Sequence, residues 1–189
     1  MEAFFVSTGI VALAEMGDKT QLLSLLLAAR YRRPLPILLG IFVATLVNHA
    51  AAGALGAWIT SAVGADVMRW VLGLSFIAMA IWVLIPDKLD DAQAAQGPRW
   101  GVFGTTALAF FLAEIGDKTQ IATVALAAQY AAFFAVVLGT TLGMMIANAP
   151  AVLLGERLTR RLPIRRIHQA AAVLFAALGV LILGGWSAM

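Results

Sequence analysis

One seven-residue motif occurs twice in this chain, and each copy interrupts a long apolar segment with charged side chains. Residues 15–21 read EMGDKTQ and residues 114–120 read EIGDKTQ, so six of the seven positions are identical. Carboxylates and ammonium groups are costly in apolar surroundings. Any fold of this chain must therefore bring the two motifs to each other, or to water, and we expect the protein to use them.

The composition indicates an integral membrane protein. Of the 189 residues 62% are hydrophobic and 12% are charged, with a mean hydropathy of +0.92. Such a composition is typical of chains that fold in lipid. About 20 apolar residues cross a bilayer, and we predict six spanning helices over residues 4–29, 36–60, 68–86, 101–128, 133–155 and 167–186. The chain has no cysteine, which excludes disulfides and thiolate metal sites.

The two halves repeat with an offset of 99 residues. At that offset the motifs align without a gap, and so do Gly40 with Gly139 and Phe76 with Phe175. Each half holds three predicted helices, an odd number, so the second half must enter the membrane from the opposite side. We therefore predict an all-α polytopic protein built as an inverted repeat, with repeats at 1–86 and 100–189 and a cytoplasmic linker at 87–99. Inverted repeats are a signature of secondary transporters.

Basic residues predict the orientation of these helices. Outside the motifs there are eleven lysines and arginines, and ten of them fall on one side of the predicted membrane: Arg30, Arg32, Arg33, Lys88, Arg99, Arg157, Arg160, Arg161, Arg165 and Arg166. Only Arg69 falls on the other side. By the positive-inside rule the ten mark the cytoplasm, so both termini are expected outside the cell.

We expect each motif to lie on a continuous helix, where the small Gly17 and Gly116 let another helix approach closely. On a helix, Glu15 and Asp18 share a face, Lys19 lies near it, and Gln21 extends the polar strip; the second copy repeats this pattern. Exposing all six charged groups to lipid would cost on the order of 18 kcal/mol. We therefore expect one buried cluster of four carboxylates and two lysines, formed by Glu15, Asp18, Lys19, Glu114, Asp117 and Lys118.

Such a cluster suits a divalent cation as transported cargo. Four carboxylates against two ammonium groups leave a local charge near −2, and oxygen ligands suit Mg²⁺, Ca²⁺ and Mn²⁺. Metal and protons would compete for the same oxygens, which is a physical basis for exchange. No resident cofactor is expected. The alternative interpretation is that Glu–Lys pairs only tie helices together, although buried ion pairs often stabilise less than apolar packing does.

Polar residues within the second and fifth predicted helices are secondary ligand candidates. They are Asn48 and Asn148, and His49 aligns with Asn148 at the repeat offset. Amide oxygens can bind Ca²⁺ or Mn²⁺, while an imidazole favours Mn²⁺ and later transition metals. Interhelical hydrogen bonding is the alternative use of these side chains, and His49 is the less favoured ligand.

The doubled motif resembles that of a known transporter family. Two E-x-G-D-[KR]-[TS] motifs, one in each three-helix half, are similar to those of the bacterial manganese exporters and the Golgi or chloroplast calcium/manganese–proton exchangers. The resemblance covers essentially the whole chain. It implies that Glu15, Asp18, Glu114 and Asp117 bind the cation, with Thr20, Gln21, Thr119 and Gln120 beside them. It also implies a bacterial inner-membrane protein that exports Mn²⁺.

The sequence thus favours a secondary transporter that exports Mn²⁺, with Ca²⁺ as the nearest alternative cargo, in exchange for protons. Two other functions stay open: an exporter of amino acids or small organic solutes, and a non-transporting membrane scaffold subunit. We find no nucleophile–base pairing and no metalloprotease motif, and predict that the chain is not an enzyme. The expected partners are the lipid bilayer and the metal ion. We expect neither nucleic acid nor an obligatory protein partner.

Overall fold

The computed structural model describes residues 1–85, 100–155 and 163–185, and these residues form helices and short connections without any strand. The prediction of an all-α protein is confirmed. In chain order the helices are α1 Glu2–Glu15, α2 Lys19–Tyr31, α3 Pro34–Ala62, α4 Ala65–Trp82, α5 Gly101–Glu114, α6 Lys118–Tyr130, α7 Phe133–Leu154 and α8 Ile164–Leu183.

The expectation that each motif lies on a continuous helix is wrong. α1 ends at Glu15 and α2 begins at Lys19, so the predicted span 4–29 is two half-helices; α5 and α6 divide the span 101–128 in the same way. The cause is the motif glycine, since Gly17 has φ +86° and Gly116 has φ +74°. This left-handed conformation suits glycine and cannot continue a right-handed helix. The role predicted for these glycines from the sequence was close packing of a neighbouring helix, not a break.

The other four predicted spans correspond to single helices. Spans 36–60, 68–86, 133–155 and 167–186 match α3, α4, α7 and α8, with ends shifted by no more than four residues. The predicted linker at 87–99 and most of the arginine-rich break after α7 lie outside the described residues.

Three of the described helices are long and apolar enough to cross a membrane, judged by length and composition: α3, α7 and α8. Large apolar side chains cover the outer surface, among them Leu39, Val47, Trp70, Leu138 and Val180, each about half exposed. An apolar exterior of this extent is what lipid-facing helices require.

The long helices α3 and α7 pack against each other and each carries one pair of half-helices. Both α1 and α2 pack on α7, whereas α5 and α6 pack on α3. Glycines permit the closest approaches: a Cβ at Gly40 would lie 2.9 Å from the Phe103 carbonyl oxygen, and one at Gly139 would lie 2.6 Å from that of Phe4. The two contacts are equivalent in the repeat, because Gly139 lies 99 residues after Gly40 and Phe103 lies 99 residues after Phe4.

The remaining pair, α4 and α8, forms a separate contact at the side of this arrangement. Gly73 and Gly179 face each other, and the rings of Phe76 and Phe175 lie 6.2 Å apart at the centre of an apolar cluster. Phe76 and Phe175 are counterparts at the 99-residue offset. α8 also contacts α1, which brings its first turns to the first motif.

Candidate functional site: a buried acidic cluster at two helix breaks

Each helix break is a tight turn braced by the glutamine of its own motif. The Asp18 N–H donates to the Glu15 carbonyl at 3.1 Å, and the Asp117 N–H donates to the Glu114 carbonyl at the same distance. The N–H of Gly17 donates to Oε1 of Gln21 at 2.9 Å, and that of Gly116 to Oε1 of Gln120 at 2.8 Å. Asp18 and Asp117 precede α2 and α6, and neither caps its helix with a side-chain hydrogen bond.

The lysines pair across the two motifs. Lys118 Nζ lies 3.0 Å from Asp18 Oδ1, and Lys19 Nζ lies 3.3 Å from Asp117 Oδ1. The expectation that Lys19 lies on one helical face with Glu15 is therefore wrong, because the turn at Gly17 separates the two residues. The two pairs differ in burial: Lys118 is inaccessible to solvent, whereas the Lys19 side chain is 19% exposed.

Three carboxylates from the two motifs converge. Oxygens of Glu15, Asp18 and Asp117 all lie within 4.8 Å of one another, and all three side chains are buried. The hydroxyl of Thr20 donates to Glu15 Oε2. Carboxylate oxygens at this spacing can bind one hard divalent cation, whose ligands lie about 2.0–2.6 Å from the metal. The motifs that are 99 residues apart in sequence thus form one site.

The fourth acid, Glu114, lies beside a histidine. Its Oε2 is 3.6 Å from Nε2 of His49 on α3, and both side chains are fully buried. Among the described residues, neither oxygen of Glu114 and neither ring nitrogen of His49 has a hydrogen-bond partner. Glu114 is also within electrostatic range of Asp18, Asp117 and Lys19. The site therefore has a second part, in which an imidazole nitrogen of His49 lies beside the Glu114 carboxylate.

The secondary candidates are placed near the motifs but are largely engaged in hydrogen bonds. Gln21 donates to the Ala147 carbonyl at 2.7 Å, in addition to bracing Gly17. Asn48 donates to the Phe111 carbonyl at 3.2 Å. Asn148 accepts from the Ser24 hydroxyl at 2.8 Å and donates to the backbone of Met144. By contrast, the buried hydroxyl of Thr119 finds no hydrogen-bond partner in the part of the chain that the structure describes.

The two breaks are covered unequally. Ile164, the first residue of α8, lies against Gly17, and His168 Nε2 is 2.7 Å from the Met16 carbonyl oxygen. At Gly116 no atom of the described residues lies within 4 Å of a would-be Cβ, and the neighbouring Ile115 is 55% exposed. Within residues 1–85, 100–155 and 163–185, one break is therefore closed by α8 and the other is open.

Sequence reasoning missed the contacts that α8 makes with the first break, and the pairing of His49 with Glu114. No periodic pattern indicates either, because both join residues that are distant in sequence. A usable signal did exist for His49: it is the repeat counterpart of Asn148 but differs from it chemically.

The family model described as divalent cation/proton antiporter GDT1 matches residues 3–91 and 102–189 of this chain. The chain belongs to the GDT1 family. The match spans both motifs, and because GDT1 members are transporters, the prediction that the chain is not an enzyme is confirmed. The resemblance that the doubled motif indicated is confirmed as well.

Several GDT1 relatives are similar over nearly the whole chain. A Vibrio cholerae protein named "Putative manganese exporter" is 52% identical over 176 residues, covering 93% of this chain and 87% of its own length. GDT1-like protein sll0615 of Synechocystis is 28% identical, covering 93% of each chain. Divalent cation/proton antiporter GDT1 of Saccharomyces cerevisiae is 23% identical, covering 93% of this chain and 81% of its own. No solved structure matches the chain significantly.

Proposed function

We propose that this protein exports Mn²⁺ from the bacterial cytoplasm in exchange for protons, with Ca²⁺ as a weaker cargo. The observation that carries the proposal is the convergence of Glu15, Asp18 and Asp117 from two helix breaks into one buried set of oxygens. Membership of a divalent cation/proton antiporter family supports the exchange, and the Vibrio relative named as a manganese exporter supports the cargo.

The acids have separate roles in this proposal. Glu15, Asp18 and Asp117 bind the ion, Glu114 completes the set, and Lys19 and Lys118 hold the aspartates in place through the cross-motif pairs. Gln21 and Gln120 keep the turns in shape, and Thr20, Thr119, Asn48 and Asn148 surround the ion's path.

Protons arriving from an acidic exterior occupy the same carboxylate oxygens as the metal. Their binding releases the ion there, which couples the two fluxes.

We further propose that the six spans form two inverted repeats in the inner membrane with both termini outside. Two observations support this. The packing of α1 against α7 corresponds to the packing of α5 against α3, and the close contacts at Gly40 and Gly139 lie at equivalent positions of the two repeats. The half-helices also end alike, since Arg32 and Ala131 are both left-handed and lie at the same repeat position. Broken helices meeting at a shared site are a recurring design in transporters with inverted repeats.

Unequal covering of the two breaks fits alternating access. α8 closes the break at Gly17, whereas no described residue closes the one at Gly116. In the opposite state, the inverted symmetry would place the start of α4 over Gly116 and withdraw α8 from Gly17. The acidic cluster would then be reachable from one side at a time.

Flux into vesicles that contain only this protein tests the function. With the lumen acidic, the voltage clamped by an ionophore and Mn²⁺ outside, we expect Mn²⁺ uptake that stops when the pH gradient is collapsed. Mg²⁺ should be a poor cargo because it dehydrates reluctantly and needs strict octahedral geometry.

Other results would contradict parts of the proposal. Uptake that ignores the gradient would contradict proton exchange, and equal Mg²⁺ and Mn²⁺ fluxes would contradict the selectivity. Protein that moves amino acids but no metal would point to the organic-solute exporter, and protein that moves nothing would point to the scaffold.

The absence of native cysteine makes the orientation testable with single cysteines. Gly64, in the connection between α3 and α4, and Arg33, before α3, are both exposed. On intact cells a membrane-impermeant maleimide should label Gly64→Cys, whereas Arg33→Cys should react only after permeabilisation. The reverse pattern would overturn the predicted orientation and place the arginines outside.

A further inference from the structure

The repeat predicts a partner for His49 that the structure does not provide. Asn148 is held by the Ser24 hydroxyl at 2.8 Å. Shifting both residues by the 99-residue offset gives Thr123 and His49. Thr123 instead donates to the carbonyl of Thr119 at 2.8 Å, within its own helix. The imidazole therefore lacks the hydrogen bond that its counterpart makes.

Asn148 also has a second partner, Met144, and His49 has no equivalent of this contact. The Asn148 amide donates to the backbone oxygen of Met144 at 3.0 Å and lies 2.9 Å from its sulfur. The counterpart of Met144 is Thr45, one turn before His49, and its hydroxyl has no hydrogen-bond partner in the described part of the chain. Both ring nitrogens of His49 likewise lack a hydrogen bond to any described residue, in a side chain with no solvent exposure. Buried polar groups are normally hydrogen-bonded, so an exception of this kind calls for a ligand.

The geometry places a ligand between His49 and the acids. Nε2 of His49 and Oε2 of Glu114 are 3.6 Å apart, beyond a hydrogen bond. At roughly 2.0–2.6 Å from each atom, one metal ion can bind both. We propose that His49 supplies a nitrogen ligand to the transported ion on the Glu114 side of the cluster, and thereby favours Mn²⁺ over Ca²⁺ and Mg²⁺. This inference rests on the proposed function.

The selectivity follows from ligand chemistry. Carboxylate oxygens bind Ca²⁺, Mg²⁺ and Mn²⁺ alike, so Glu15, Asp18 and Asp117 discriminate weakly among them. An imidazole nitrogen adds affinity for transition metals and little for Ca²⁺ or Mg²⁺. Because His49 has no counterpart histidine in the other repeat, the nitrogen is present on one side of the site only.

Pulsed electron paramagnetic resonance of bound Mn²⁺ tests the assignment without transport. We expect wild-type protein to show nitrogen coupling that changes when the protein is made with ¹⁵N-histidine. The chain has only two histidines, so His168→Asn is a matched control that should keep the coupling, while His49→Asn should lose it. If His49→Asn fails to fold, the wild-type and His168→Asn spectra still decide the assignment.

Flux gives an independent measurement. In His49→Asn vesicles we expect the ratio of Mn²⁺ to Ca²⁺ flux to fall by at least about tenfold, since even residues that only orient metal ligands change affinity 10–100-fold. Bound Mn²⁺ without histidine coupling, or an unchanged flux ratio, would overturn the role of His49 and leave the proposed function standing. Wild-type protein that neither binds nor moves Mn²⁺ would overturn both.

Discussion

Neutralising one acid of the cluster should abolish proton-driven Mn²⁺ uptake while leaving the protein folded. We expect Glu15→Gln, Asp18→Asn and Asp117→Asn each to reduce the flux by on the order of 100-fold or more. Residues that only orient metal ligands already contribute 10–100-fold to affinity, and each of these acids supplies charge that lipid and apolar helices cannot replace. The three oxygens lie within 4.8 Å of one another, so losing one removes a ligand from the set.

The matched control for these variants is Glu2→Gln. Glu2 is an acidic residue of the same helix as Glu15, but it is exposed at the first turn of α1. The Mn²⁺ flux of the Glu2→Gln variant should equal that of the wild type. Size-exclusion profiles and thermal unfolding of every variant separate lost transport from lost fold. Folded Glu15→Gln and Asp117→Asn proteins that transport at the wild-type rate would contradict the paired-acid site.

Replacing either motif lysine should destabilise the protein, and the loss of stability should differ between Lys118 and Lys19. Lys118 is fully buried, 3.0 Å from Asp18, so Lys118→Met removes a cation from a buried pair. Breaking such a pair typically destabilises a protein by about 3–5 kcal/mol, because a charge is left uncompensated. The Lys19 side chain is 19% exposed, so its pair with Asp117 is less fully removed from water than the pair of Lys118 with Asp18, and Lys19→Met should destabilise less.

Thermal unfolding in detergent measures this difference. We expect a clearly lower midpoint for Lys118→Met than for Lys19→Met. The double variant Asp18→Asn/Lys118→Met should recover much of the stability but not the transport, since the neutral pair no longer leaves a buried charge and also no longer binds the ion. Equal midpoints for the two single lysine variants would contradict the different burial of the two pairs.

In the proposed mechanism, transport and stability depend on the same cluster for one physical reason. Charges within apolar surroundings are tolerated only when they face one another, an ion or water. The cross-motif pairs of Lys19 with Asp117 and of Lys118 with Asp18 fasten the first half of the chain to the second. A cargo ion that joins Glu15, Asp18 and Asp117 would act on the same junction, so its binding and release can shift how the halves pack.

The sequence by itself determined the membrane class, the helical fold, the family and the identity of the acids. These features depend on composition, on segment length and on a motif that is written twice, all of which are local or periodic. The four uninterrupted helices were also predictable, because a run of about 20 apolar residues between polar breaks has few alternatives.

Tertiary structure alone decided how the motif is used. The sequence suggested that Gly17 and Gly116 let helices approach, yet both adopt a left-handed conformation that ends one half-helix and lets the next begin. It suggested pairing within each motif, yet the lysines pair across motifs. It ranked Asn148 above His49, yet Asn148 accepts a hydrogen bond from Ser24, whereas His49 makes no hydrogen bond to any described residue. A backbone dihedral and a contact between helices more than 60 residues apart leave no periodic trace in sequence, because both depend on where the remainder of the chain packs.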